Sequence, residues 1–174
     1  RLSSRNRIGV GQRLRLPGRV SVAEARAELR RLGATGADLN SFYRPLAEGP
    51  CASADDCQPL ELIGWPQGSG ARCGAAPVIA IIDTRVDTTH PALKGQSIET
   101  IDLHPEGKRR SGSGHGTAVA AIIAGSPASE GAGLLPRARL IAADPYYSSG
   151  AGDDRAEAVD VVRALDALLG RNPH

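Results

Sequence analysis

Methionine is absent from the 174 residues, and only five aromatic side chains occur, Trp65, Phe42, Tyr43, Tyr146 and Tyr147. A core built from this chain must therefore use small and branched side chains, for which its abundant alanine and glycine are suited. Neither sign of charge dominates: 21 Lys and Arg against 19 Asp and Glu leave +2. That balance removes the whole-chain electrostatic case for nucleic acid or an anionic membrane surface as partner. No apolar run reaches the roughly 18–20 residues that a membrane span needs. Neither CxxC nor HxxxH spacing occurs, so the three cysteines do not read as a zinc site, and no metal is assigned.

What is present is enough for one domain, or one domain with a small appendage. The chain starts at Arg1 with no charged-then-apolar leader, so a processed or trimmed protein is expected, its targeting signal already removed. Cys51, Cys57 and Cys73 lie in Gly-, Pro- and Ser-rich sequence. A disulfide in an oxidising compartment fits that setting and implies an extracytoplasmic protein; three free thiols of a cytosolic loop are the alternative. The odd count leaves one cysteine free or paired elsewhere.

Three segments follow from composition. Residues 1–46 form an amino-terminal extension, with nine arginines in the first 31 residues. An arginine-rich arm on nucleic acid is conceivable, but without aromatic interleaving a solvated surface is expected. Its LRL at 14–16 is the one short strand-like pattern. SVAEARAELRRLG at 21–33 reads as a helix, with Ser21 as N-cap, Glu24 completing a capping box and Gly33 as the stop. Residues 47–77 read as a cysteine-containing linker in which only LELIGW is apolar enough to dock.

From 78 to 174 the register changes. PVIAIID at 77–83 is a continuous apolar run, the mark of a strand buried on both faces of a parallel sheet. A helix is expected over about 115–124, a second buried strand at 138–144 (ARLIAAD) and a last helix over about 153–169. That helix carries Val159, Val162, Leu165 and Leu169 on one face and ends at Gly170. Strand, helix, strand, helix predicts an α/β layered sheet with right-handed crossovers. The chain then stops at His174, where another strand of the sheet would be expected.

Asp83 ends the first strand and His115 starts the helix after it, so both face the sheet edge where α/β proteins collect their active sites. A carboxylate that accepts the imidazole Nδ1 proton fixes the tautomer of a general base and stabilises the imidazolium. Gly114 and Gly116, lacking Cβ atoms, allow backbone and substrate to approach that ring closely. Taken singly, Asp83 reads as a turn or cap residue and His115 as a structural histidine; the pairing is what points to chemistry.

VIAIIDTRVDTTHPAL at 78–93 resembles the aspartate motif of the subtilisin-like serine peptidases, and GHGTAVAAIIAG at 114–125 resembles their histidine motif. GLLPRARLIAADPY at 133–146 is similar to the segment that follows in that family. The resemblance covers about residues 60–174. It implies an α/β, parallel-sheet, three-layer subtilisin-like fold, incomplete in this chain. It also implies an endopeptidase with Asp83 as triad acid and His115 as general base, whose partner is a polypeptide substrate. Such peptidases lay the substrate antiparallel along an edge strand beside the histidine. PYYSSGAGD at 145–153 is the expected counterpart, with Gly150 and Gly152 allowing close approach; an ordinary glycine-rich loop is the alternative, and Tyr146 and Tyr147 either line a subsite or pack.

The departures are specific. Ala118 stands where the family has a second histidine, and Arg85 where it has a glycine. Ala92 replaces an aspartate that often supports a calcium site, so no cofactor is required and calcium there is doubtful. No Gly-Thr-Ser nucleophile motif occurs, and Ser111 and Ser113 are loop residues. This chain alone is thus expected to be inactive, its serine coming from a carboxyl-terminal remainder of the same protein. A non-catalytic module that binds peptides or a protein partner is the alternative. The helix at 21–33 with ADLNSFYRPL resembles the tail of an inhibitory prosegment, which would make the protein a zymogen cleaved near 44–57; an extension that stays attached is the other reading.

Overall fold

The computed structural model describes residues 13–44, 64, 76–129, 132–150, 153–171 and 173. Cys51, Cys57, Cys73 and Gly152 lie outside the described residues, as do the expected disulfide and nearly all of the expected cleavage region.

The centre is a parallel three-stranded sheet in the order β2-β5-β3, built from β2 (Val78–Ile82), β3 (Ile98–Asp102) and β5 (Arg139–Asp144). β5 lies in the middle, with Leu140 opposite both Ile79 and Ile98. Its alternate residues point to opposite faces, and both faces are covered. Leu140 and Ala142 pack with Val86, Leu93 and Ala120, the last from helix α2 (Gly114–Ala124). Ile141 and Ala143 pack with Ala164 and Leu168 of helix α3 (Ala158–Leu169). Helix, sheet and helix make three layers, and burial of β5 on both sides is why its sequence reads as an unbroken apolar run. The four covered apolar residues of β5 alone remove enough apolar surface to contribute several kcal/mol, at about 25 cal/mol per Å².

A second, antiparallel sheet runs β1-β7-β6-β4: β1 is Phe42–Tyr43, β4 Arg109–Arg110, β6 Tyr147–Ser148 and β7 Asp154–Glu157. Two elements differ from expectation here. The last helix begins at Ala158 rather than near 153, because Asp154–Glu157 pairs with β6 on one edge and β1 on the other; tertiary pairing overrides the helical pattern. β3 has no counterpart among the expected strands, since IETID carries two acids and sits half-exposed at the rim of the sheet. LRL at 14–16 forms no strand.

The extension folds as expected from 21 to 33. Helix α1 (Val22–Arg31) has Ser21 as N-cap in a complete capping box, with Ser21 Oγ accepting the Glu24 N–H and the Glu24 carboxylate accepting the Ser21 N–H. Gly33 follows with φ of 92°, a left-handed conformation that glycine adopts without strain. Beyond it the extension reaches α3. The Ser41 carbonyl accepts the Ala158 N–H (2.7 Å), and Asn40 Oδ1 accepts the Val159 N–H (2.9 Å). Glu157, at the N-cap position of α3, makes no side-chain cap of its own, so two orphan donors of that helix are satisfied by the extension.

Candidate active site

Asp83 directly follows β2, and its N–H continues the parallel ladder onto the Ala143 carbonyl (3.1 Å). Its Oδ1 accepts the Thr84 N–H at 2.6 Å, which pins the carboxylate to its own turn. The Oδ2 faces His115 Nε2 at 3.5 Å. The two sequence-predicted residues are therefore brought together. That separation exceeds the roughly 2.7–3.2 Å of an N–H···O hydrogen bond. The ring edge also differs from expectation: Nε2, not Nδ1, is turned toward the carboxylate. For Nδ1 to meet Asp83 the imidazole would have to reorient about its side-chain torsions.

Three hydroxyls stitch the loop after Asp83 to the start of α2. Thr84 Oγ1 accepts the Gly116 N–H (2.9 Å), Thr117 Oγ1 accepts the Asp87 N–H (2.9 Å), and Ser111 Oγ accepts the Arg85 N–H (2.9 Å). Helix α2 has no side-chain N-cap of its own, since Ser113 makes none, so Thr84 does part of that work from across the sheet edge. Gly116 is required for this approach: a Cβ there would sit 2.1 Å from the Thr84 carbonyl oxygen. Gly114 has no such constraint, for a Cβ there would meet nothing within 4 Å.

Each parallel strand closes on an aspartate: Asp83 just after β2, Asp144 as the last residue of β5 and Asp102 as the last of β3. Their environments set them apart. Asp144 is 7% exposed and accepts the Ser111 Oγ–H (2.8 Å) and the Tyr146 N–H (2.9 Å). Burial pushes its carboxyl up to about 6, against the pull of those two hydrogen bonds. Burial also acts upward on Asp102, but bonds from His104 and the nearby Arg110 outweigh it and leave the group below its usual range. Thr89, bonding through both hydroxyl and N–H, holds Asp87 low as well. Burial and then the Asp83 and Asp144 charges raise the Tyr146 phenol. A pocket of about 260 Å³ opens between these strand ends, lined by Thr84, Asp87, Thr100, Asp102, Arg110 and Asp144 among others.

The expected peptide edge is occupied. Tyr147–Ser148 is paired on both sides, by β4 and β7, and the outer edge of β7 is taken by β1 of the chain's own extension. Tyr147 packs: it is 2% exposed, between the Lys108 ammonium (5.3 Å from its ring centroid) and the Arg155 guanidinium (5.4 Å). Gly150 has φ of 89°, so the turn itself calls for glycine there. Ala92 lies in a 3₁₀ turn, Pro91–Leu93, where its N–H bonds His90 Nδ1 and its carbonyl accepts the Ser126 N–H. Among the described residues no cluster of three or more His, Cys, Asp or Glu side chains could hold a metal ion.

A sequence profile of the subtilase family matches residues 74–169. The chain belongs to the subtilase family. It is 36% identical over 103 residues to thermitase of Thermoactinomyces vulgaris, an overlap covering 58% of this chain and 35% of thermitase. It is 36% identical over 147 residues to fervidolysin of Fervidobacterium pennivorans, covering 74% of this chain and 20% of fervidolysin. The chain thus spans about a third and a fifth of the length of these two relatives. No solved structure gives a significant match.

In this subtilase the matched segment contains both Asp83 and His115. Sequence reasoning missed the hydroxyl stitches and the buried Asp144. One signal for Asp144 was available, a carboxylate closing an apolar strand, the same pattern that singled out Asp83.

Proposed function

We propose that residues 78–174 are the amino-terminal part of a subtilisin-like serine endopeptidase, with His115 as general base, Asp83 as its orienting acid and a serine supplied by a carboxyl-terminal part of the same protein. The observation that carries the reading is the approach of the Asp83 carboxylate to the His115 imidazole at 3.5 Å, at the carboxyl edge of the parallel sheet. In the proposed reaction the serine Oγ attacks the peptide carbonyl as Nε2 of His115 takes its proton. The same proton then passes to the leaving amine, an acyl-enzyme forms, and water repeats the sequence to release the acid. With the ring turned so that Nδ1–H meets Asp83, Nε2 would face the serine. General-base help of this kind is worth roughly 10² to 10⁴ in rate.

The missing serine part is supported by the sheet as well as by the absent Gly-Thr-Ser motif. Among the described residues β2 has a strand partner on one side, and its five apolar residues, Val78–Ile82, are each only partly buried. An open apolar edge of this kind is a template for a further strand. On this reading the extension, which already fills the β7 edge, acts as a prosegment or a permanent cover. Gly114, Gly150 and Gly152 would line the substrate path, no cofactor is needed, and the cysteine-bearing stretch suits an extracytoplasmic location.

The test is labelling of the full-length protein by a serine-directed fluorophosphonate. Labelling is expected, and His115→Ala should abolish it at unchanged far-UV circular dichroism. A folded full-length protein that takes no label even after residues 1–46 have been cleaved off would replace the peptidase reading with that of a non-catalytic peptide-binding module.

A further inference from the structure

We propose that Asp144 and Ser111 are positioning residues: Asp144 fixes the Ser111 hydroxyl, and Ser111 holds the Asp83 loop against the segment leading into the His115 helix. Ser111 Oγ has one proton and two lone pairs. It gives the proton to Asp144 Oδ2 (2.8 Å) and takes the Arg85 N–H (2.9 Å). Its backbone lies four residues before His115, and Arg85 lies two residues after Asp83. A single hydroxyl therefore joins the central strand, the acid's loop and the approach to the base. Both partners are shielded, Ser111 at 2% exposure and Asp144 at 7%. A buried bond without a competing water holds its geometry, and an acceptor charged at one pH and neutral at another changes how strongly it does so.

The charged and titratable groups around Asp144 come from every element that meets there. Asp102 and His104 lie at and beyond the end of β3, Asp102 raising and His104 lowering its affinity for the proton. Arg85 and Asp87 stand on the Asp83 loop and Arg110 on β4, all around the same pocket. Tyr146, on the exit from β5, has its phenol near both Asp83 and Asp144. Of these, Asp144 has the carboxyl pushed up to about 6 by burial, so the charge on the Ser111 acceptor changes near that pH.

This inference rests on the proteolytic reading for its kinetic readout only; the positional readout stands without it. In the full-length protein, the His115 imidazole NMR signal is followed against pH in wild type, Ser111→Ala, Ser111→Thr and Asp144→Asn, beside steady-state cleavage of a peptide substrate. The wild-type His115 signal should show an added step near pH 6 that both Ser111→Ala and Asp144→Asn remove. Ser111→Ala should lower kcat by about 10- to 100-fold with KM within about twofold, as displacement of a reacting group by about 1 Å does. Ser111→Thr, which keeps the hydroxyl, should recover most of that loss. The double variant should be no slower than Ser111→Ala alone, since one linkage is broken once. The proposal is overturned if the wild-type signal has no such step, or if it persists unchanged in folded Asp144→Asn. It is equally overturned if the two single losses multiply. A wild type that shows the step but cleaves nothing supports the positioning role while removing the peptidase reading.

Discussion

Replacing Gly116 by alanine adds one methyl group at the tightest point of the site, and its effect can be worked from the geometry. The new Cβ would lie 2.1 Å from the Thr84 carbonyl oxygen, 2.9 Å from its carbon and 3.0 Å from the Arg85 carbonyl oxygen. A relaxed C···O contact needs about 3.3 Å, so α2 and the Asp83 loop must part by about 1 Å. The neighbouring atoms are backbone, which cannot swing aside. Parting by that much breaks the Gly116 N–H bond to Thr84 Oγ1 and the Asp87 N–H bond to Thr117 Oγ1, both now 2.9 Å. Two such bonds are worth about 1 kcal/mol each, and overpacking adds about 1–3 kcal/mol. The better helix propensity of alanine returns about 1 kcal/mol at most. A net loss of about 2–4 kcal/mol is expected in urea unfolding, a large share of an ordinary domain stability of about 5–15 kcal/mol. The Asp83–His115 separation, already 3.5 Å, widens beyond direct contact, and fluorophosphonate labelling should slow by about 100-fold. Gly114→Ala, where a Cβ meets nothing within 4 Å, is the matched control and should be neutral in stability. A Gly116→Ala protein as stable as wild type, with labelling unchanged, would refute the direct packing of helix start on acid loop.

Two further predictions concern stability. Asp144 has a folded-state pKa of about 6, above its ordinary 3.8, so the fold favours the protonated form. Its contribution is therefore full below about pH 4 and is lost as pH rises through about 6. The neutral Asp144→Asn should match wild type in thermal melting near pH 4 and exceed it above pH 6 by about 2–3 kcal/mol, because each pH unit separating the folded from the unfolded pKa is worth about 1.4 kcal/mol; a gap that is the same at both pH values would contradict this. Asn40→Ala uncovers the Val159 N–H of α3 and removes a partner of Glu157; a loss of about 0.5–2 kcal/mol is expected by denaturant titration, and no change would mean that the extension does not cap that helix.

Much of this architecture was legible because local pattern and tertiary environment agreed. VIAII and RLIAAD are unbroken apolar runs because a parallel strand covered on both faces needs them, and Ser21 with Glu24 announces a helix start by a contact only three residues long. Asp83 and His115 could be paired because each closes or opens an element at the same sheet edge. β3 was illegible for the opposite reason. At the sheet rim its IETID is only half-covered, so its sequence carries no clear burial signal. DRAE at 154–157 reads as the first turn of the helix that follows it, and only the strands on either side, Phe42–Tyr43 and Tyr147–Ser148, make it extended. Ser111 reads only as a loop serine because a serine in a Gly-Ser loop is ordinary; its bond to a carboxylate 33 residues away leaves no local mark.

The extension and the sheet edge it covers form one problem rather than two. β1 pairs with β7, Phe42 stacks on the Arg155 guanidinium at 4.7 Å, and Arg155 in turn faces Tyr147 at 5.4 Å. Asn40 and Ser41 meanwhile cap α3, whose Ala164 and Leu168 form one wall of the core. Any peptide that reaches β7 by strand addition must displace Phe42–Tyr43, and doing so pulls on the cap of a core helix only one residue before it. A segment that could leave without cost would not be tied to the fold at the start of α3. If the extension were to leave, the Ala158 and Val159 donors would turn to other acceptors, water or a strand added along β7. The extension and any strand added along β7 therefore compete for the same hydrogen bonds.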